Sequence, residues 1–166
     1  VFKEFSKNKI SKPPFTKITY KESMLNFGTD KPDLRNPLRV IDITNCFEDS
    51  GFKIFESNIS TGSVVKAIVA PNSSDKPRGW FDKLNNWARD NGQKGLGYII
   101  YTENSLKGPI AANLKKNNLD MILKSSNLEN GDSIFFICDK PLNAMKFSGI
   151  VREKLCEELN LLKKDS

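Results

Sequence analysis

The pattern of apolar and polar positions changes character near residue 38. Before it, a polar run at 9–14 ends in Pro13 and Pro14, a pair that favours extended chain and stops a helix. A helix is predicted to begin after Thr19. Thr19 and Glu22 form the S/T-x-x-E capping box, and apolar Ile18 precedes the cap. Tyr20, Met24 and Phe27 recur at helical spacing, with Leu25 widening the apolar face. Gly28 supplies a left-handed closing residue, and Asp30, Pro32 and Asp33 read as a turn.

From residue 38 onward, strand and helix patterns alternate. LRVIDI reads as a first strand, and 46–50 as a short turn or helical connection. FKIFESNI, at 52–59, reads as a second strand of period two, with Phe52 and Ile54 facing one way and Lys53 and Phe55 the other. VVKAIVAP is a third strand ended by Pro71, followed by a polar loop. WFDKLNNWARDNG is the clearest helix: Trp80, Leu84, Trp87 and Ala88 share a face, Phe81 flanks it, and Asn91 and Gly92 end it. LGYIIY is a fourth strand. Residues 106–123 read as one or two short helices, with Pro109 in a first turn and Asn117 and Asn118 weakening the middle. Asn130 and Gly131 turn the chain into DSIFFIC, whose five consecutive apolar residues mark the central strand. Asp139 is placed as the cap of a long helix with Pro141 in its first turn and Phe147, Val151, Leu155 and Leu159 every four residues along it. The short turn before the third strand requires an antiparallel pair. The expected class is therefore α+β, a two-layer α/β sandwich with a mainly antiparallel sheet and helices on one face.

Composition narrows the chemistry. In 166 residues there is no histidine, which removes the commonest general base and metal ligand. The three cysteines, Cys46, Cys138 and Cys156, are scattered, form no CxxC unit and read as buried thiols in a reducing compartment. No apolar run approaches the length that spans a bilayer, and no N-terminal stretch has the signal-peptide pattern, so a cytoplasmic location and no membrane partner are expected. The chain opens without methionine on VFKEF, which reads as the last turn of a helix cut from a longer polypeptide.

The candidate sites are two. Tyr20, Asp30, Lys31, Asp33 and Arg35 form a dense charged block around two turns. Its alternating signs favour a locked interface over an open anion site, for which Lys21, Lys31 and Arg35 are the candidates. The net charge of +6 is moderate, and Lys76, Arg78, Lys83, Arg89 and Lys94 cluster around the tryptophan helix. That cluster fits contact with a nucleic-acid phosphate backbone; Asp75, Asp82 and Asp90 dilute it toward an ordinary helix exterior. Trp80 and Trp87 fit a core face better than base-stacking platforms. GQKGLG follows a helix and precedes a strand, the reverse of the order a dinucleotide-binding loop needs, so it reads as a turn. Asp42, Glu48, Asp49 and Glu56 read as a solvated acidic face. No catalytic or metal-ligating residue is assigned.

One block goes further. TYKESMLNFGTDKPDLR resembles the segment TYxEAM…YGSDKPDLR of bacterial-type aspartyl-tRNA synthetases, which leads from the class II catalytic core into an inserted GAD domain. VVKAIVAP, KGLGYIIY, GDSIFFICD and the helix ending in LCEELNLL resemble that domain's strands and closing helix, in order. Ser23, Phe27 and Thr29 depart from the usual alanine, tyrosine and serine. The resemblance implies a core-flanking segment at 1–37, the GAD domain at 38–162 and a polar tail at 163–166. It implies a parent homodimer that activates aspartate with ATP and Mg²⁺ and transfers it to tRNA. The segments carrying that chemistry lie outside this sequence, so no cofactor is implied for the chain itself. The parent catalytic core, and possible tRNA contact, are the implied partners. A tRNA-dependent amidotransferase subunit, whose members also carry a GAD domain, is the alternative parent, and a scaffold without RNA contact the alternative role.

Overall fold

The computed structural model describes residues 19–29 and 35–162. The first described helix, α1 (Tyr20–Phe27), is closed by the expected signals. The Glu22 amide donates to Thr19 Oγ1 at 3.1 Å, and the Thr19 amide donates to Glu22 Oε2 at 3.1 Å. Gly28 sits at φ +70° and returns its N–H to the Met24 carbonyl. The chain then runs through β1 (Val40–Asp42), α2 (Thr44–Phe47), α3 (Lys53–Ser60), β2 (Val64–Ala70) and α4 (Arg78–Asp90). It continues through β3 (Gly97–Thr102), β4 (Ser105–Lys107), α5 (Pro109–Ala112), α6 (Lys116–Ser126), β5 (Ser133–Asp139) and α7 (Pro141–Glu158).

The five strands form one antiparallel sheet in the order β1-β2-β5-β3-β4. β5 occupies the centre, as its uninterrupted apolar run requires, because a strand buried on both faces has no solvent side to mark with polar residues. It pairs with β2 over seven residues, from Val64 opposite Asp139 to Ala70 opposite Ser133. Alternation along the two strands sends Ile68, Ala70, Phe135 and Ile137 to one face and Val65, Ala67, Ile134 and Phe136 to the other.

The sheet and its long helices make the expected sandwich. Phe81, Leu84 and Ala88 of α4 and Ala144, Phe147, Val151 and Leu155 of α7 cover the first face. Helices are not confined to that face, however. The short helices α2, α3, α5 and α6 cover the second with Cys46, Phe47, Phe55, Ile59, Ile110, Ala111 and Ile122. The physical reason lies in β2 and β5: both faces of this central pair are apolar, so both must be covered.

Three further expectations are corrected. Residues 53–60 are the helix α3, not a strand. Phe52, Phe55 and Ile59 recur at i, i+3, i+7 and pack into the second core, while Ile54 is 62% exposed. Glu56 Oε1 accepts the Gly51 amide at 2.8 Å, which secures the helix start. The antiparallel sheet therefore does not rest on a hairpin before β2. Asp139 does not cap α7; the cap position is Lys140, with Pro141 next, and the Asp139 carboxylate instead accepts the neighbouring Lys140 amide at 2.7 Å and the Gln93 side-chain amide at 3.2 Å. Asn118 lies in the first turn of α6 rather than weakening a helix middle. Its amide donates to the Cys46 carbonyl at 2.9 Å and ties α6 to α2.

Candidate functional site

The basic helix α4 is anchored by its apolar stripe, which fixes where its charges point. Arg78, Asp82, Asn85 and Arg89 follow one another at helical spacing along one side. Asn85 Oδ1 accepts the Leu96 amide at 2.9 Å, and Arg89 Nε donates to the Lys94 carbonyl at 3.3 Å, so this side holds the turn into β3. Gly95, at φ +149°, lies so close that a Cβ there would stand 2.6 Å from Asn85 Oδ1. GQKGLG is thus a turn that packs on its helix, as expected.

The five candidate cations do not make one patch. Arg78 and Arg89 belong to the Asn85 side, and Lys94, whose carbonyl holds Arg89, lines a separate groove with Gln93, Asp139 and Lys140. Lys83, six residues before Arg89, projects about 120° away around the axis at 100° per residue. It lines a groove of about 290 Å³ with Trp80, Trp87, Asp90, Lys154 and Glu158. Lys76 lies with its Nζ 5.9 Å from the Trp80 ring centroid, and Lys154 with its Nζ 5.7 Å from that of Trp87. Both tryptophans pack on the first core, Trp87 stacked on Phe147 at 5.8 Å and Trp80 edge-on to Phe81 at 4.9 Å. They serve the core first and offer only part of each ring to the groove.

The charged block around the first helix is described in part. Asp30, Lys31 and Asp33 lie outside the described residues. Tyr20 is 70% exposed, and Arg35 is exposed and engaged. Ser23 is buried and donates to the Thr29 carbonyl at 2.5 Å, giving the departure from alanine a local role.

Sequence reasoning missed Arg152. It is 1% exposed, the largest fully buried side chain. Its Nε donates to the Leu38 carbonyl at 2.7 Å and its terminal NH2 to the Asn36 carbonyl at 2.9 Å. Its guanidinium carbon and that of Arg39 each stand 4.6 Å from the Phe27 ring centroid. The only signal in the sequence is an arginine on the apolar side of a long helix, one position after Val151.

The acidic cluster resolves into separate structural duties. Asp42 accepts Lys66 Nζ at 3.0 Å and the Thr44 amide and hydroxyl at 3.0 and 2.7 Å. Partial burial works against its ionisation, and these donors outweigh it, holding the carboxyl below the usual carboxylate range. Asp49 pairs with Lys115 at 3.1 Å. Burial pushes the Cys46 and Cys138 thiols up, so neither is poised as a nucleophile, and all three cysteines are free thiols. Among the described residues no group of three or more His, Cys, Asp or Glu is placed to hold a metal ion, and no helix is long and apolar enough to cross a membrane.

These features define an α+β module whose first described helix, α1, is docked on its last, α7. Residues 55–148 match the GAD domain, and the chain belongs to that family. Along 99% of its length it is 52% identical to the aspartate–tRNA(Asp/Asn) ligase of Paramagnetospirillum magneticum, covering 19% of that protein. It is 46% identical over its full length to the same-named ligase of Gluconobacter oxydans, covering 28% of it, and 48% identical over 99% of its length to that of Rickettsia prowazekii, covering 27%. The chain therefore spans well under a third of the curated relatives it matches.

Proposed function

We propose that this chain is the inserted GAD module of an aspartate–tRNA ligase. The observation that carries the reading is the extent of the similarity: it runs over 99% of the chain at 52% identity, well beyond the 55–148 of the family match. In this reading the parent is a cytoplasmic homodimer that forms an aspartyl-adenylate from aspartate and ATP with Mg²⁺ and passes the aspartyl group to tRNA. The described residues do not fit a Mg²⁺ site, so that chemistry belongs to other segments of the parent. The names of the relatives pair Asp with Asn, which supports a parent that also charges asparagine tRNA. The parent reading is checked by aspartylation assays on the full-length protein with both tRNAs, alongside aspartate-dependent ATP–pyrophosphate exchange with this chain. Charging of both tRNAs by the parent and no exchange by the chain are expected; exchange by the chain alone would overturn it.

The module's role in this reading is contact with the tRNA backbone through Lys76, Arg78, Lys83, Arg89 and Lys94. Charge is the support: six Lys or Arg against three acids over 60–95. Titration of the chain with tRNA is expected to show binding at low salt that weakens steeply as salt rises. Lys83→Gln with Arg89→Gln then lowers the log–log salt slope by about 2. The division of these cations between two sides of α4 favours a second reading, a scaffold without RNA contact. Absence of binding at low salt decides for that second reading.

A further inference from the structure

We propose that α1 is a rigid coupling element, clamped to the module so that it moves with α7 as one body. α1 and the 36–38 segment that leads to β1 are then both held on that one helix. This goes beyond the ligase reading and does not depend on it. Of the residues that make the clamp, Phe27, Gly28, Asn36, Leu38, Arg39, Gly149 and Arg152 lie outside the 55–148 of the family match.

The first half of the clamp is a contact of two backbones. A Cβ on Gly28 would stand 2.6 Å from the Met145 carbonyl oxygen, and a Cβ on Gly149 would stand 2.7 Å from the Gly28 carbonyl oxygen. Only a pair of glycines lets the end of α1 meet the middle of α7 this closely. Gly28 also needs its freedom for the φ of +70° that closes α1. Beside this contact Phe27 is buried, with the guanidiniums of Arg39 and Arg152 over its ring.

The second half attaches the 36–38 segment to the same helix. Arg152 donates to the carbonyls of Asn36 and Leu38, and the Asn36 side chain donates back to the Arg152 carbonyl at 3.2 Å. Asn36 Oδ1 also accepts the Leu38 amide at 3.0 Å. Gly28 is therefore attached to α7 at Gly149, and the 36–38 segment at Arg152. Gly149 and Arg152 are three apart, within one helical turn. Two attachments within one turn of one helix tie α1 and the approach to β1 to the same part of α7. The first and last described helices are in this way in direct contact.

Gly149→Ala separates this proposal from ordinary helix packing, because the two effects have opposite signs. Alanine favours a helix interior over glycine by about 1 kcal/mol, so the substitution strengthens α7 taken alone. Against Gly28 it forces the backbones apart. The test is native-state amide hydrogen exchange on the full 166-residue chain, read in α1, α7, β2 and β5. In the wild type, α1 amides are expected to be protected to within about tenfold of those of α7. In Gly149→Ala, exchange in α1 is expected to rise by about 100-fold or more. A rise confined to α1 identifies the clamp as a local lock, and a rise shared with β2 and β5 makes α1 part of the global unit; both support one body. Phe27→Leu, which keeps an apolar side chain but removes the ring beneath the guanidiniums, is expected to raise α1 exchange by about tenfold. Near-unprotected α1 amides in the wild type, or unchanged α1 protection in both variants, would overturn the proposal.

Discussion

Arg152→Met is expected to lower the free energy of unfolding by about 3 kcal/mol, a large share of the total for a domain of this size. The estimate follows from opposing terms. Methionine nearly conserves the length and volume of the side chain, so little cavity forms. It removes two charge-assisted hydrogen bonds, to the carbonyls of Leu38 and Asn36, each worth about 1.5–3 kcal/mol, and the cation over Phe27. Against this, it relieves the desolvation of a guanidinium that is 1% exposed. Lysine tells the two terms apart. Arg152→Lys keeps the buried charge but loses the planar fork that reaches both carbonyls, so it is expected to be no more stable than the methionine variant. Urea unfolding of the three proteins at one pH gives the ordering directly. If Arg152→Met lies within about 0.5 kcal/mol of wild type, the guanidinium does not hold the 36–39 segment in place.

Arg152 also marks a limit of sequence reading. Its partners lie 114 and 116 residues away, and nothing local distinguishes it from an arginine at a helix edge. The features that were legible are those whose cause is local or periodic. The capping box of α1, the left-handed Gly28, the apolar stripe of α4 and the double-sided run of β5 each depend on neighbours within a few residues. The strand β4 was not legible. It pairs with β3 through a two-residue turn in which Glu103 and Asn104 both adopt positive φ, and the glycine that usually signals such a turn is absent. Of the candidate site, the sequence named the cations of α4 but not their division between two sides of the helix, since that depends on where the helix is anchored. The charged block at 20–35 was singled out for its composition, yet its described attachment to the module runs through Phe27, Gly28 and Asn36, none of them among the charges.

Phe47→Ala is expected to cost about 3–5 kcal/mol, and Ile54→Ser less than about 0.5 kcal/mol, although both change a large apolar residue near the same helix. The contrast follows from α3 being a helix. Phe47 is fully buried and meets Phe55 of α3 at 4.9 Å and Phe136 of the central strand at 5.1 Å, both edge-on. Its ring stands between α3 on one side and the central strand on the other. Truncating it leaves a cavity between α2, α3 and β5 and removes two aromatic contacts at once. Ile54 lies on the opposite side of α3, largely in water, so serine there gives up little burial. A strand at 52–59 reverses this expectation: Ile54 then alternates with Phe55 across a sheet, one of the two must face the core at each step, and serine at 54 costs a core residue's share. Thermal or urea unfolding of the two variants therefore measures the helical period of this segment. Equal losses from both substitutions would show that Ile54 is buried in solution and that α3 does not pack on Phe47 as described.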